Sequence, residues 1–375
     1  MLSLQTMFNA LHGEAAERIR LFRVQVDPWL VFALCAILVF GLVVLNSAAQ
    51  QDSAVVTNQA LRVGIALVAM VIAAQVDPHT YLRWAPTLYV AGIVLLVIVL
   101  LVGTIAKGSQ RWLDLPGLPR FQPSEIMKIA VPLVIAWYLH DRPLPPGPKH
   151  LLVAVVLLAV PAGLIALQPD LGTSVMVAFG GLAVIVMSGL RWRFIAAALG
   201  LMAAAAPALW FVLRDYQKRR VLTFLNPEAD TQGAGWNIIQ SKIAIGSGGV
   251  EGKGLFNGTQ SRLDFLPESH TDFILAVIGE ELGLRGMTLL LLLYLVVVAR
   301  ALFMATRATE TFGRLAASSL TLVFFGYVFV NIGMVSGLLP VVGVPLPLVS
   351  YGGTSAITLL VGFGIVMAIH THRRS

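Results

Sequence analysis

Apolar runs close to 20 residues long recur from one end of this 375-residue chain to the other, and nothing else in it limits the fold as strongly. Wound into a helix at about 1.5 Å per residue, each run matches the roughly 30 Å hydrocarbon thickness of a bilayer. Only 12% of residues are charged and the mean hydropathy is +0.83, far from the balance of a soluble domain. Inside a bilayer the backbone must satisfy its own polar groups, which leaves helices or closed barrels. The length of the runs favours helices. The chain reads as an all-α, polytopic integral membrane protein.

Ten transmembrane helices are predicted at about 29–46, 57–76, 84–103, 124–140, 150–167, 171–189, 194–213, 273–304, 315–338 and 350–370. Pro and Gly mark the joints, as in Asp77-Pro78, Pro143 to Pro148 and Pro340 to Pro347. The eighth run is irregular: 286–305 is long enough to span alone, leaving 272–284 as an extension or an interfacial helix. With the N-terminus inside, the inner segments hold 13 of the 26 Lys and Arg and the short outer loops 47–56, 168–170 and 339–349 hold none, while the long outer loops 104–123 and 214–271, whose charge weighs little on topology, hold ten. That asymmetry places both termini in the cytoplasm. A segment 1–28 then precedes a single membrane domain, 29–375, with a large extracytoplasmic loop at about 214–271 between helices 7 and 8. Arg18, Arg20 and Arg23 precede a first run with no cleavage motif after it, so that run reads as a retained span. The lone Cys35 allows no internal disulfide. The net charge of +7 is spread over loops without a basic domain, which points to lipid phosphate as the anionic partner and to no nucleic acid.

Against this apolar background, the stretch FLPESHTDFILAVIGEE (265–281) gathers Glu268, His270, Asp272, Glu280 and Glu281 at the mouth of a span. Ionisable groups there face polar cavities and are functional candidates by default. Thr271 or Asp272 serves equally well as an ordinary helix cap. RFQPSEIMKIAVPLVIAWYL (120–139) opens the fourth helix on the same side, with Glu125 and Lys128 one turn apart on one face. Lys128 lies more than a turn deep, where carboxylates in a protein-lined cavity satisfy it best. RWLDLPGLP (111–119) supplies Arg111, whose fork suits phosphate, and Trp112, which suits an interfacial anchor. GVPLPLVSYGGTS (343–355) supplies the hydroxyls of Ser350 and Tyr351, with Gly352 and Gly353 allowing close backbone approach to a ligand or a neighbouring helix. Asp170 reads as a helix cap, and Glu281 with Arg285 as a structural i,i+4 pair. Segments 214–227 and 235–249 fit amphipathic helices on the outer leaflet.

One carboxylate among cations at an outer bilayer face suits sugar transfer from a lipid diphosphate. The leaving group departs once cations neutralise it, so the chemistry needs only a base for the attacking hydroxyl. Asp272 is the candidate base, with Glu125 and Lys128 setting its position and charge balance. Arg111, Trp112, Gln122, His270, Arg219, Arg220, Arg262, Ser350, Tyr351, Gly352 and Gly353 form the candidate substrate-binding set. No ligand set demands a metal, and no cofactor is required by sequence. A divalent cation, Mg or Mn, is compatible with a diphosphate.

GSQRWLDL, RFQPSEIMKIAVPL, QPDLGTS, FLPESHTDFILAVIGEELGLRG and NIGMVSGLLPVVGVPLPLVSYGGTS, in that order over nearly the whole chain, resemble the SEDS family. The likeness is greater to its elongation branch than to its division branch. The resemblance implies a ten-helix peptidoglycan glycosyltransferase in the bacterial inner membrane, polymerising lipid II on the periplasmic face within the elongation machinery. It also implies a class B penicillin-binding protein as transpeptidase partner. The family's essential aspartate falls on Asp272, its acid–lysine pair on Glu125 and Lys128, and its arginine–tryptophan pair on Arg111 and Trp112. In family terms the acceptor's 4-hydroxyl attacks the donor's C1 with inversion and releases undecaprenyl diphosphate. Two rival readings, a lipid II flippase and a non-catalytic scaffold for the penicillin-binding protein, predict no strand synthesis by the purified chain.

Overall fold

The computed structural model describes residues 25–106, 109–114, 121–213, 215–230, 233–262, 265–266 and 269–372. Residues 1–24 of the predicted N-terminal segment, together with Lys107, Arg120, Arg214, Glu268, Arg373 and Arg374, lie outside these. A helix occupies each predicted range: α1 Pro28–Ala48, α2 Ser53–Gln75, α3 Pro78–Val102, α4 Ser124–Leu139, α5 Pro148–Leu167, α6 Leu171–Met187 and α7 Trp192–Val212, then, beyond the long loop, α11 Ile274–Thr306, α12 Thr311–Val335 and α13 Thr354–Thr371. Among the described residues, seven of these are long and apolar enough to cross a membrane: α1, α2, α3, α5, α11, α12 and α13. The long loop folds into α8 Asp215–Leu225, a 3-10 turn, α9 Ala234–Gly248 and the short α10 Thr259–Arg262.

Boundaries follow the caps. Asp52 and Asp77 accept the backbone N–H groups of Ala54 and His79, so α2 and α3 start several residues earlier than hydropathy alone indicates. The chain is not purely helical. Thr104–Ala106 (β1) and Ser109–Trp112 (β2) pair antiparallel, and Leu113 bridges Phe121 beyond them. That hairpin delivers Arg111 and Gln122 to the same place.

The polar and small-residue helices sit at the centre. In α12, 72% of the most apolar stretch is buried, against 22% in α2 and in α3, which turn Leu61, Val68 and Leu101 outward. α12 packs against α4, α6, α11 and α13, while α2 lies along α13 and α1 along α11.

α11 is two helices joined at Gly283, whose φ of +62° and ψ of −159° break the spiral. A continuous helix would bond Leu284 N–H to the Glu280 carbonyl and Arg285 N–H to the Glu281 carbonyl. Here the loop after α9 supplies all four partners. Lys253 and Gly254 donate to the carbonyls of Glu280 and Glu281, and the carbonyls of Gly249 and Val250 accept from Leu284 and Arg285. A methyl at Gly283 would stand 2.4 Å from the Gly252 nitrogen. The break also corrects the expected pairing of Glu281 with Arg285, because the i,i+4 relation fails across it. Arg285 pairs instead with Glu251 at 2.9 Å, Glu280 with Lys253 at 2.6 Å, and Glu281 accepts from the Ser47 hydroxyl at 2.7 Å.

α9 is bound to protein rather than simply lying on a leaflet. Its Ile238–Ser241–Ala244–Gly248 face is buried against α11 and α12, and a methyl at Gly248 would collide with the Gly279 carbonyl.

At the opposite end of the bundle, Asp27 caps α1 through Leu30 N–H and receives both arms of Arg300 from α11, at 3.0 and 2.6 Å. Burial pushes the Asp27 carboxyl upward, but the Arg300 and Leu30 hydrogen bonds outweigh it and hold its pKa below the usual 3.8. A carboxyl depressed on folding stabilises above its unfolded pKa and loses that contribution as pH falls through the folded one. The thermal stability of the detergent-solubilised protein is therefore expected to fall below about pH 4. Asp27→Asn should flatten that part of the pH profile and lower the melting temperature at neutral pH.

Candidate active site

Asp272 stands where three pieces of chain meet. The N-cap of α11 is Phe273, so Asp272 lies one residue outside the capping position expected of it as an ordinary cap. Its main-chain carbonyl accepts the Asn331 amide at 2.8 Å, and the same amide group reaches the Val344 carbonyl at 2.7 Å. Gly343, at φ +72°, brings the 340–349 loop so close that a methyl on it would lie 3.5 Å from Asp272 Oδ2. On the third side, Tyr351 N–H donates to the His270 carbonyl at 2.9 Å and the Ser350 hydroxyl to the Thr271 carbonyl at 2.5 Å. Asp272 itself is half-buried.

The fourth-helix pair forms as its spacing predicts. Lys128 Nζ lies 2.6 Å from Glu125 Oε1, with both residues at most 5% exposed. The ammonium also sits 4.7 Å from the centroid of the Tyr327 ring on α12, a cation–π contact strengthened by desolvation. Glu125 occupies the first turn of α4, where the helix dipole favours a negative charge. Its Oε2 is buried with no hydrogen-bond partner among the described residues. The two clusters share α12: Tyr327 meets Lys128, and Asn331, one turn and about 6 Å further on, grips Asp272.

Asp170 does more than cap. It accepts from Thr173 N–H at 3.2 Å, as a cap should, and from the buried Gln122 amide at 2.9 Å. Arg111 Nη1 lies 3.3 Å from the same carboxylate, while Arg111 Nε is buried without a partner among the described residues. The cluster adjoins the Asp272 loop, since a methyl at Gly172 would meet the Val342 carbonyl at 2.5 Å. Arg111, Gln122, Asp170, Glu125 and Lys128 thus form one wall and Asp272 the next, with residues 342–344 between them.

The remaining candidates disperse. Trp112 lies in β2 opposite Thr104. His270 stacks edge-on against Tyr351, with ring centroids 6.1 Å apart. Ser350 is buried and fastens its turn, accepting from Leu346 N–H as well as donating to Thr271. Gly352 is clasped by the Gln59 amide from α2, and Gly353 lies under Arg62. Arg219 and Arg220 line a separate pocket of about 440 Å³ on α8 with Asp215, Thr223 and Asp230. Arg262 ends α10, and its side chain lies outside the described residues. Among the described residues, no group of three His, Cys, Asp or Glu side chains is gathered for a metal.

Residues 27–375 match the family model for FtsW, RodA and SpoVE, the cell cycle proteins. The chain belongs to this family. It is 56% identical over 353 residues to the peptidoglycan glycosyltransferase MrdB of Escherichia coli K12, covering 94% of this chain and 95% of that one. It is 37% identical to a probable peptidoglycan glycosyltransferase FtsW of Geobacter metallireducens, covering 82% of each. Thermus thermophilus RodA superposes with a TM-score of 0.71 at 30% identity, covering 93% of this chain and 98% of that one. A chain from a solved peptidoglycan synthase complex, in which polymerization and crosslinking are structurally coordinated, gives 0.82 at 34% identity, covering 93% and 98%.

For a family member with this wall, the Glu125–Lys128 pair makes a sharp stability prediction. Removing the charge of one partner in a buried pair leaves the other uncompensated, at about 3–5 kcal/mol. Glu125→Gln is expected to lower the melting temperature markedly. Replacing both residues, as Glu125→Gln with Lys128→Met, should recover part of that loss in the melting temperature.

Proposed function

We propose that this chain polymerises lipid II, the undecaprenyl-diphosphate-linked disaccharide peptide, into glycan strands, with Asp272 as the general base. The observation that carries the reading is the juncture at α12. It supports a carboxylate at the loop end of the bundle, next to a buried lysine and a wall bearing Arg111. Identity of 56% to a peptidoglycan glycosyltransferase across nearly the full length gives the reaction class.

In this reading the ten long helices all span the membrane, both termini are cytoplasmic, and Asp272 opens toward the periplasm. Asp272 removes the proton from the acceptor's sugar 4-hydroxyl as that oxygen attacks the donor's anomeric carbon with inversion. The bond from that carbon to the diphosphate oxygen breaks, and undecaprenyl diphosphate leaves with the bonding pair. Lys128 is too deeply enclosed by Glu125 and Tyr327 to reach substrate without rearrangement, so its part is to hold the wall and bias the local field. Arg111, oriented by Asp170, faces the developing diphosphate charge with the part of its guanidinium that the wall leaves exposed. The neighbouring complex in which polymerization and crosslinking are coordinated favours a class B penicillin-binding protein as partner.

Asp272→Asn keeps the shape of the residue and the Asn331 contact to its carbonyl while removing the base. Strand synthesis from lipid II by the purified, correctly folded variant is expected to fall to background. Wild-type rates in that variant would remove Asp272 from the chemistry, and a purified wild-type chain, with its partner present, that makes no strands would favour transport or scaffolding.

A further inference from the structure

Arg62 has no role in the wall just described, yet its surroundings are unusual for a cation in this chain. It lies on α2 roughly 14 Å along the axis from Ser53, well inside a candidate span. Its neighbours Leu61 and Ile65 are 65% and 52% exposed, so this helix meets lipid. Arg111, Arg285 and Arg300 each have a carboxylate. Arg62 has none, and no hydrogen-bond acceptor holds it, among the described residues. Its guanidinium lies over the Tyr351 ring, with Cζ 4.9 Å from the centroid. A cation held over an aromatic ring gains electrostatic attraction but no carboxylate or carbonyl acceptor for its N–H donors, and at bilayer depth unmatched donors are costly.

The turn beneath it is built to receive this side chain. Gln59, one turn before Arg62 and 3% exposed, donates toward the carbonyls of Ser350 and Gly352 and accepts the Gly352 N–H. A methyl at Gly353 would stand 2.8 Å from Arg62 Cδ, so glycine there makes room for the arginine stem. The same turn is stitched to the Asp272 segment by the Tyr351-to-His270 and Ser350-to-Thr271 bonds. Only the Tyr351 residue separates the guanidinium from the backbone that leads to the candidate base.

We propose that Arg62, on its Tyr351 platform, binds the diphosphate of the lipid-linked donor from the membrane side; this rests on the polymerase reading above. A soluble anion would have to reach bilayer depth, whereas a polyprenyl diphosphate arrives there with its tail already in lipid. The exposed Leu61, Ile65 and Val68 on α2 give that tail an apolar surface to follow. The charge, the fork geometry and the lipid-facing flank select one ligand chemistry: a diphosphate on an isoprenoid chain.

The test uses the purified full chain in detergent and undecaprenyl diphosphate as probe, read by ligand-induced thermal shift, alongside polymerisation kinetics with lipid II. Arg62→Met keeps the stem and its contact with Tyr351 but removes the charge. Its apparent affinity for the probe is expected to drop roughly ten- to a hundredfold, with KM rising more than kcat falls. Gly353→Ala, which displaces Arg62 without altering any charge, should weaken the probe in the same direction and serves if Arg62→Met does not fold. Asp272→Asn should bind the probe like wild type while making no strands. Probe affinity within twofold of wild type in a folded Arg62→Met or Gly353→Ala protein overturns the inference and leaves the polymerase reading standing. An equal, Arg62-dependent shift with phosphatidylglycerol assigns the site to bulk lipid and overturns it too. Polymerisation by Asp272→Asn would instead strike the polymerase reading, whatever Arg62 does.

Discussion

A buried backbone group that loses its helical partner must find another or stay unpaired, and each such loss costs several kcal/mol. The break at Gly283 frees four such groups, and the loop following α9 meets every one of them. This exchange fixes much of what lies above it. It seats α9 on α11 and aims the short leading half of α11 at α12, where Asn331 can reach the Asp272 carbonyl. Glu280 finishes the clasp from the side chain, accepting from Lys253 Nζ, from the Thr259 N–H and hydroxyl, and from Gln260 N–H. The carboxylates clustered near the start of α11 therefore divide their work: Glu280 and Glu281 secure the loop, and Asp272 is left at the mouth.

The second requirement is that charge inside the bundle be balanced locally. Glu125 and Lys128 balance each other, and Tyr327 closes over the ammonium. Asp170 and Arg111 do the same one step outward, with Gln122 between them. Such pairs contribute little net stability and mainly enforce one arrangement of the helices that carry them. Here that arrangement is the meeting of α4 and α6 against α12, with the β1–β2 hairpin tied to the start of α6 through Arg111 and Asp170. Two groups in this wall are left over, Glu125 Oε2 and Arg111 Nε, both buried and both without partners among the described residues. A wall that is complete except for one acceptor and one donor is suited to a polar guest.

Helix positions were legible because hydropathy at span length is a strong signal, and Glu125 with Lys128 was legible because helical spacing determines who can meet. The irregular eighth run also divides, at Gly283, two residues before the joint at 285 that the sequence allowed. What spacing could not reach were contacts between distant segments. Asp170 looked like a cap and is one, but its tie to Arg111 depends on a hairpin that no hydropathy pattern announces. Glu281 and Arg285 sat at ideal helical spacing and do not meet, because one positive-φ glycine between them cancels the period. Tyr327, Asn331, Gln59 and Arg62 were passed over as ordinary members of apolar helices. Their signal was present: an amide or a guanidinium inside a span is expensive enough to demand a reason.

The way Asp272 is held bears on how it can act. Glu125, Asp170, Glu280 and Glu281 are each gripped through their carboxylate oxygens. The Asn331 amide holds Asp272 by its main-chain carbonyl, and its neighbours His270 and Thr271 are held by theirs. With the backbone of 270–272 fixed in this way, the place of the Asp272 carboxyl against the 342–344 loop is set by its neighbours' main chain and by Asn331.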